Sequence, residues 1–356
     1  MKKRLSFMVC ILLVLSLLAG CGNTGKQDEA TKKEETAKET ASEKEEQKSG
    51  GELIVYSPAP EDLLNTVIRE FQDKTGIKVE LIQAGSGELL TRIKSESNNP
   101  LADVMFGGGA EAMEAHKEYF EAYDSPEAAK IKESYKSKEK AWTGVFVSPT
   151  VIMYNKNLVP ENEVPKGWAT FGDAKWKGKI AFADPVSSGS SFTTLSILLT
   201  AMDKGDGGWG FIRQYVDVLD GNLLTSSSAP HKGVSDGEYA MCITPEQAVL
   251  QYTTAGADYI GIVYPEEGTG AIPSAISVIK GAKNKENAQK FIDFVLSSDV
   301  QSRLSEFKYH SVREDIKEEG DFKPINEIKM TNFDFIKASK EKDNYIKQWN
   351  DIIIGK

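Results

Sequence analysis

Between residues 53 and 109 short apolar runs alternate with amphipathic stretches, and that order restricts the chain to few architectures. Leu53-Ile54-Val55-Tyr56 reads as a buried strand running into Ser57-Pro58-Ala59-Pro60. Leu63, Leu64, Val67, Ile68 and Phe71 then recur at helical spacing, and Gly76 stops the helix. Ile77, Val79 and Leu81 alternate as a second strand. Gly85-Ser86-Gly87 opens a helix with Leu89, Leu90 and Ile93 on one face, and Val104-Met105-Phe106 is a third strand ending in Gly107-Gly108-Gly109. This strand–helix order implies a parallel sheet covered by helices on both faces, an α/β fold.

A second series follows the extended stretch 145–154, which is long enough to cross between domains. It comprises a strand at 179–183, a serine loop at 187–191, and a helix marked by Phe192, Leu195, Leu198 and Leu199. Strands at 239–243 and 259–264 come next, with Pro245 where a first helical turn begins. Residues 275–279 read as the return crossing, before an amphipathic helix at 287–296. The last forty residues are charged and helical, with Phe333, Phe335, Ile336, Tyr345 and Trp349 as packing contacts. Two α/β lobes joined by two crossings suit the 356-residue length, and 40% apolar content excludes global disorder. The net charge of −10 argues against a nucleic-acid surface. Three cysteines build no disulfide framework, and three histidines leave little room for a histidine-rich metal site.

The first fifty residues read as address and tether. Lys2, Lys3 and Arg4 precede an apolar run from residue 5 to 19, short for a spanning helix and suited to a signal peptide. The run ends in Leu18-Ala19-Gly20-Cys21, which resembles the bacterial lipobox. That resemblance implies cleavage after residue 20 and lipidation of Cys21; the alternatives are an uncleaved anchor or a plain secretory signal. Residues 22–49 contain no aromatic or branched aliphatic side chain, so residues 21–50 are expected to form a disordered tether. Cys10 leaves with the signal, and Cys242, inside Tyr239-Ala240-Met241-Cys242-Ile243, reads as a small core residue.

In open parallel sheets ligands bind beyond the carboxyl ends of the strands. Here those ends carry small polar residues: Ser57, then Gly85-Ser86-Gly87, then Gly107-Gly108-Gly109, Ser187-Ser188-Gly189-Ser190-Ser191, Thr225-Ser226-Ser227-Ser228 and Thr244-Pro245-Glu246. Glycines admit close backbone approach, hydroxyls donate, and helix N-termini carry partial positive charge. Single loops of this kind are ordinary caps and turns, whereas several facing one cleft suit an anion or a polyhydroxylated ligand. His231-Lys232, just beyond the serine run, is a candidate partner for a phosphate or carboxylate. Glu246 has two readings, as an acceptor for a ligand amine or hydroxyl and as a complement to a helix dipole. His310 and Arg313, in Tyr309-His310-Ser311-Val312-Arg313, have two readings, as lining of the hinge side and, in preference, as part of a surface loop.

Two enzyme motifs lack their context. Gly233-Val234-Ser235-Asp236-Gly237 matches G-x-S-x-G, but a serine-rich loop precedes it and an apolar run follows, the reverse of strand, turn, helix. Gly205-Asp206-Gly207-Gly208-Trp209-Gly210 matches G-x-G-x-x-G after a helix rather than a strand. No enzyme activity and no cofactor are expected.

Several stretches carry a resemblance that covers the chain from Gly51 onward. They are Ala102-Asp103-Val104, Trp176-Lys177-Gly178-Lys179-Ile180-Ala181-Phe182-Ala183-Asp184-Pro185, Ser188-Gly189-Ser190-Ser191-Phe192-Thr193, Asp236-Gly237-Glu238-Tyr239-Ala240-Met241 and Val312-Arg313-Glu314-Asp315. The chain resembles the extracellular solute-binding lipoproteins of bacterial ABC importers, in the branch of ferric-ion, organophosphate and phosphonate binders. The resemblance implies the type II periplasmic-binding-protein fold, two Rossmann-like lobes around a cleft. It also implies a monomer held by its lipid on the outer face of a Gram-positive membrane, docking on a permease served by a separate ATPase. The expected organisation is residues 1–20 signal, 21–50 tether, 51–147 plus about 273–310 first lobe, and 148–272 plus about 311–356 second lobe. Ferric binders of this branch carry adjacent tyrosines after the strand at 239–243, where this chain has Thr244-Pro245-Glu246-Gln247-Ala248-Val249-Leu250-Gln251-Tyr252. By the same resemblance Ser188, Gly189, Ser190 and Ser191 cradle a phosphoryl group, with Ser86 and Gly87 across the cleft. The expected ligand is therefore a small phosphorylated or phosphonate solute, and no metal site is assigned. The alternatives are ferric iron or a ferric anion, and a thiamine-like ring stacked on Tyr56, Tyr252 or Trp142. A surface hydrolase needs a nucleophile–base pair that the sequence does not show.

Overall fold

The computed structural model describes residues 50–355. The expected signal segment, Cys10, Cys21 and the tether up to residue 49 lie outside the described residues. Strand β1 (Glu52–Ser57) leads into α1 (Glu61–Thr75), which buries Leu63, Leu64, Val67, Ile68 and Phe71. Gly76 ends the helix at φ 70°, a left-handed cap that favours glycine. β2 (Lys78–Gln83), α2 (Ser86–Ser95), β3 (Val104–Gly109) and α3 (Ala110–Ala115) follow, with β1 parallel to both β2 and β3. The triple glycine is not a loop after β3 but its last three residues. Gly107 and Gly108 take φ of 98° and 87°, and a Cβ on Gly107 would meet that of Ala59 at 3.1 Å.

The short β4 (Phe120–Glu121) precedes the stretch expected as one crossing, which is instead two strands, β5 (Thr143–Val147) and β6 (Thr150–Asn155), in different sheets. The second sheet continues through β7 (Ile180–Ala183), α4 (Gly189–Ala201), α5 (Trp209–Leu219) and β8 (Leu223–Leu224). It closes with α6 (Ala229–Ser235), β9 (Met241–Pro245), α7 (Glu246–Thr254) and β10 (Ile260–Val263). β11 (Ser274–Ile279) returns to the first sheet, followed by α8 (Lys285–Leu296), α9 (Ser298–Gln301) and β12 (His310–Ser311). α10 (Phe335–Lys340) and α11 (Lys342–Ile354) finish the chain.

The first sheet runs β12-β5-β11-β3-β1-β2 with β4 beside β11, and the second runs β10-β6-β9-β7-β8. Both are mixed rather than wholly parallel. β11 is antiparallel to β3 and β5, and β6 is antiparallel to β9 and β10. β6 and β11 enter directly from the other sheet, without the helical crossover that forces parallel pairing.

Among the described residues three segments, not two, pass between the sheets, and they lie side by side. Thr150 N donates to Gly270 O at 3.1 Å, Thr269 N to Lys329 O at 2.9 Å, and Thr331 N to Thr269 O at 2.7 Å. The expected change of lobe at residue 311 is also too early. Ser311 pairs with Phe146 of β5, and Arg313 donates to Leu296 O at 2.8 Å and to Glu127, all in the first lobe. Beyond that point the C-terminal segment touches both lobes: Phe335 packs 6.2 Å from Trp142 and Trp349 packs 5.9 Å from Phe182.

Strand alternation divides each lobe into two cores. On the first sheet Leu53, Val55, Val104 and Phe106 face α1 and α8, while Tyr56 and Met105 face α2 and α3. On the second, Ile180, Phe182 and Ile243 face α4 and α5, and Val151, Met153 and Cys242 face α6 and α7. Phe291 anchors the first core edge-on to Phe71 at 5.0 Å and to Phe106 at 5.7 Å. Phe291→Ala should therefore cost about 3–5 kcal/mol in urea unfolding. Val186→Ala, at a side chain 53% exposed, should stay within about 0.5 kcal/mol.

Candidate functional site

A cavity of about 170 Å³ opens where the two sheets meet. The first lobe contributes Phe146, Ser274 and Tyr309, the second Ser190, Thr193 and Pro245, and the crossings Ser148, Thr150 and Ile272. Tyr309 packs on Phe146 at 4.3 Å, giving the first-lobe wall an aromatic floor. Phe146, Ser148, Tyr309 and Ser274 were not legible as site residues, because their neighbours in sequence are crossing strands without a serine–glycine signal. A larger surface hollow of about 520 Å³ lies between α5 and α11, lined by Arg213, Asp217 and Asp351 among others, away from the meeting of the sheets.

The serine loop supplies the second-lobe rim. Ser188 is the N-cap of α4: its Oγ accepts from Ser191 N at 3.2 Å and lies 3.0 Å from Ser191 Oγ and 2.8 Å from Ser227 Oγ. Ser187 Oγ donates to Thr225 O at 3.1 Å, so the loop at 187–191 and the one at 225–228 form one unit. Ser188 and Ser191 are buried, so their hydroxyls hold the turn, while Gly189 is exposed and Ser190 reaches the cavity. The first-turn N–H groups of Gly189 and Ser190 have no intrahelical acceptor, as at any helix start. Thr244, at the end of β9 beside cavity-lining Pro245, has a buried Oγ1 without a hydrogen-bond partner.

In the first lobe, Ser86 and Gly108 are neighbours, since a Cβ on Gly108 would lie 3.2 Å from Ser86 Oγ. Gly87 is exposed in the first turn of α2, and Gly109 pairs with Ser274 across β3 and β11. Ser57 is not presented to a ligand. It is fully buried, donating to Phe106 O at 2.5 Å and accepting from Ala59 N at 3.1 Å, so it pins the turn after β1. His231 Nδ1 is 3.0 Å from Tyr252 Oη, which ties α6 to α7, and burial lowers its pKa. Ser228 and Lys232 are exposed at the start of α6. The G-x-S-x-G stretch is the end of α6 and its following turn rather than a strand-to-helix elbow.

Glu246 is not open to a ligand. It is fully buried, and both its oxygens are engaged within the protein: Oε1 accepts from Tyr264 Oη and Oε2 lies 2.5 Å from His310 Nε2. His310 is not in a surface loop but fully buried on β12, with Nδ1 2.9 Å from Glu318 Oε2 and Phe322 edge-on at 4.8 Å. Arg313 is likewise buried. Glu318 also accepts from Ser311 N at 2.9 Å and Ile325 N at 2.8 Å. Glu246 belongs to the second lobe and His310 to the first, so this chain of bonds joins the lobes. Glu246 N donates to Pro149 O at 2.8 Å, which places the joint at the crossing itself.

Burial alone would lower the pKa of His310, but hydrogen bonds to Glu246 and Glu318 carry it up to about 9. Because that value exceeds the ordinary 6.5, its stabilisation is complete below pH 6.5 and is lost as pH rises through about 9. For Glu318, burial is outweighed by the bonds from His310 and the two backbone donors, which hold it below its ordinary 4.5. Its share is complete above pH 4.5 and lost in stronger acid. Thermal unfolding should therefore be most resistant between about pH 4.5 and 6.5 with respect to these two groups. His310→Gln should cost about 3 kcal/mol at neutral pH and flatten the alkaline limb of the profile. An unchanged alkaline limb in that variant would assign the loss to other groups.

Comparison with known proteins agrees with this two-lobed geometry. The profile of bacterial extracellular solute-binding proteins matches residues 66–329. The chain is 28% identical to "Iron uptake protein A1" of Synechocystis sp. over 275 residues, 72% of this chain and 74% of that one. It is 25% identical to the "Putative 2-aminoethylphosphonate-binding periplasmic protein" of Salmonella paratyphi A, over 69% of this chain and 73% of that one. Among solved structures, the periplasmic binding protein AfuA from Actinobacillus pleuropneumoniae, with fructose-6-phosphate bound, superposes with a TM-score of 0.73 at 26% identity, covering 85% of this chain and 98% of that one. That structure is a type II periplasmic binding protein, the architecture of the two mixed sheets described above. The chain belongs to the bacterial extracellular solute-binding proteins, the solute-capturing components of ABC importers.

Proposed function

We propose that the chain captures a small phosphorylated or phosphonate solute between its lobes and delivers it to a permease driven by a separate ATPase. The observation that carries this reading is the N-terminus of α4, where Ser188 orders the turn and Ser190 opens on the interlobe cavity. First-turn N–H groups beside a hydroxyl suit a tetrahedral anion. A cavity of about 170 Å³ suits a solute of few heavy atoms. Closure would turn the lobes about the three adjoining crossings near Pro149, Gly270 and Met330. The signal-like start and Cys21 support secretion and lipid anchoring on the outer face of the cell membrane, of Gram-positive type.

Ferric iron or a ferric anion is a second reading, favoured by the similarity to the iron uptake protein of Synechocystis. Against direct ligation, α7 carries the single tyrosine Tyr252, and that phenol is bonded to His231. Among the described residues no group of three or more His, Cys, Asp or Glu is placed to hold a metal ion.

Calorimetric titration of the full-length chain with inorganic phosphate, fructose-6-phosphate, 2-aminoethylphosphonate and ferric citrate separates the readings. One phosphoryl compound should bind, and Ser188→Ala with Ser190→Ala should weaken it about tenfold or more. Undiminished affinity in that double variant would remove the phosphate cradle. Binding of ferric citrate alone, with a visible charge-transfer band, would replace the phosphoryl reading with iron.

A further inference from the structure

Two strands meet across the divide between the lobes without a segment of chain to join them. His310 of β12 pairs with Val147 at the end of β5, and Pro245 at the end of β9 pairs with Thr150 at the start of β6. The chain from Val147 to Thr150 is the first crossing. β12 and β9 flank it on one side, while β11 and β10, joined by the second crossing, flank it on the other. The bond between His310 Nε2 and Glu246 Oε2, at 2.5 Å, closes the gap between β12 and the residue after β9. Each end of that bond is fixed in its own lobe. Glu246 Oε1 accepts from Tyr264 Oη, and Glu246 N donates to Pro149 O at 2.8 Å. His310 Nδ1 lies 2.9 Å from Glu318 Oε2, with Phe322 edge-on to the ring at 4.8 Å. Both side chains are fully buried, so the bond tolerates only a narrow range of separations and directions.

The same bond reaches both walls of the cavity. Pro245 and Tyr309, which line it, are the chain neighbours of Glu246 and His310. Ser148, a third lining residue, accepts from Gln247 N at 3.0 Å. A buried charge pair is a poor source of net stability, and its better-attested use is to single out one arrangement among several. We propose that the His310–Glu246 bond sets the resting angle between the lobes, which makes both side chains positioning residues for solute capture. Neither lines the cavity, yet together they fix how far Tyr309 stands from Pro245 before a solute arrives. The crossings alone leave that angle variable, since a few residues of chain absorb a turn through their φ and ψ angles. The assignment holds whichever solute the cleft takes.

The test reads the lobe separation in the solute-free, full-length chain by double electron–electron resonance. Spin labels are carried by Val186→Cys on the second lobe and Leu101→Cys on the first, side chains 53% and 44% exposed, in a chain with Cys10 and Cys21 replaced by Ser. Buried Cys242 stays in place. With the joint intact the distances should form one narrow distribution. His310→Asn, whose amide reaches Glu318 but stops short of Glu246, should add a second, broader component. His310→Gln, whose longer amide reaches Glu246, should restore the single one. Glu246→Ala cuts the same bond from the other side and removes a buried charge with it, so it reads the joint even where His310→Asn does not fold. The two substitutions combined should widen the distribution no further than either alone, because they remove one shared bond. A merely structural histidine would lower the melting temperature in the Asn and Gln variants alike and leave the distances of the folded molecules as they were. Unchanged distances in Glu246→Ala, or a distribution as broad with Gln as with Asn, would overturn the assignment. Neither outcome bears on the phosphoryl reading, which the calorimetric titration tests separately.

Discussion

A buried imidazolium between two carboxylates governs how the two sheets meet. Glu246 starts the helix after β9, His310 sits on the last strand of the first sheet, and Glu318 lies in the segment that then leaves it. Removing three ionisable groups from water is expensive, and the arrangement offsets that cost only while each polar atom keeps its partner. Tyr264 and the N–H groups of Ser311 and Ile325 complete the set. The joint therefore demands that three distant stretches of chain arrive together. The cavity inherits its walls from that demand, since Tyr309 adjoins His310 and Pro245 adjoins Glu246.

The local patterns were readable because each is carried by neighbours in sequence. The apolar faces of α1 and α8 announce themselves at helical spacing, and the strands from 53 to 106 by their flanking glycines and prolines. The serine run was legible as the approach to a helix for a similar reason, because a cap and the helix it caps are adjacent, although Gly189, Ser190 and Ser191 form the first turn of α4 rather than the end of a loop. What the sequence could not show was which strand ends share a cavity. Ser57 has the same residue type and the same position after a strand as the loop serines, yet its hydroxyl is consumed by Phe106 O on the neighbouring strand. Glu246 and His310 were ambiguous one at a time because 64 residues separate the partners that decide their role.

The two lobes also divide their labour by chemistry. The second lobe brings hydroxyls and a helix start to the cavity, elements that favour anions whatever the rest of the solute is. The first brings the aromatic surface of Phe146 and Tyr309 and the Ser274 side chain.

The three crossings set the kind of motion the lobes have. Segments bonded edge to edge through Thr150, Gly270, Thr269 and Lys329 make a narrow ribbon. A ribbon folds readily across its width but resists sliding in its own plane, because sliding breaks every bond between its strips at once. Solutes of different length should then alter the angle at which the cleft rests without shifting one rim along the other. The start of α4 would meet the first lobe at the same lateral position for each solute, so the alignment of the rims is a property of the ribbon rather than of what the cleft holds.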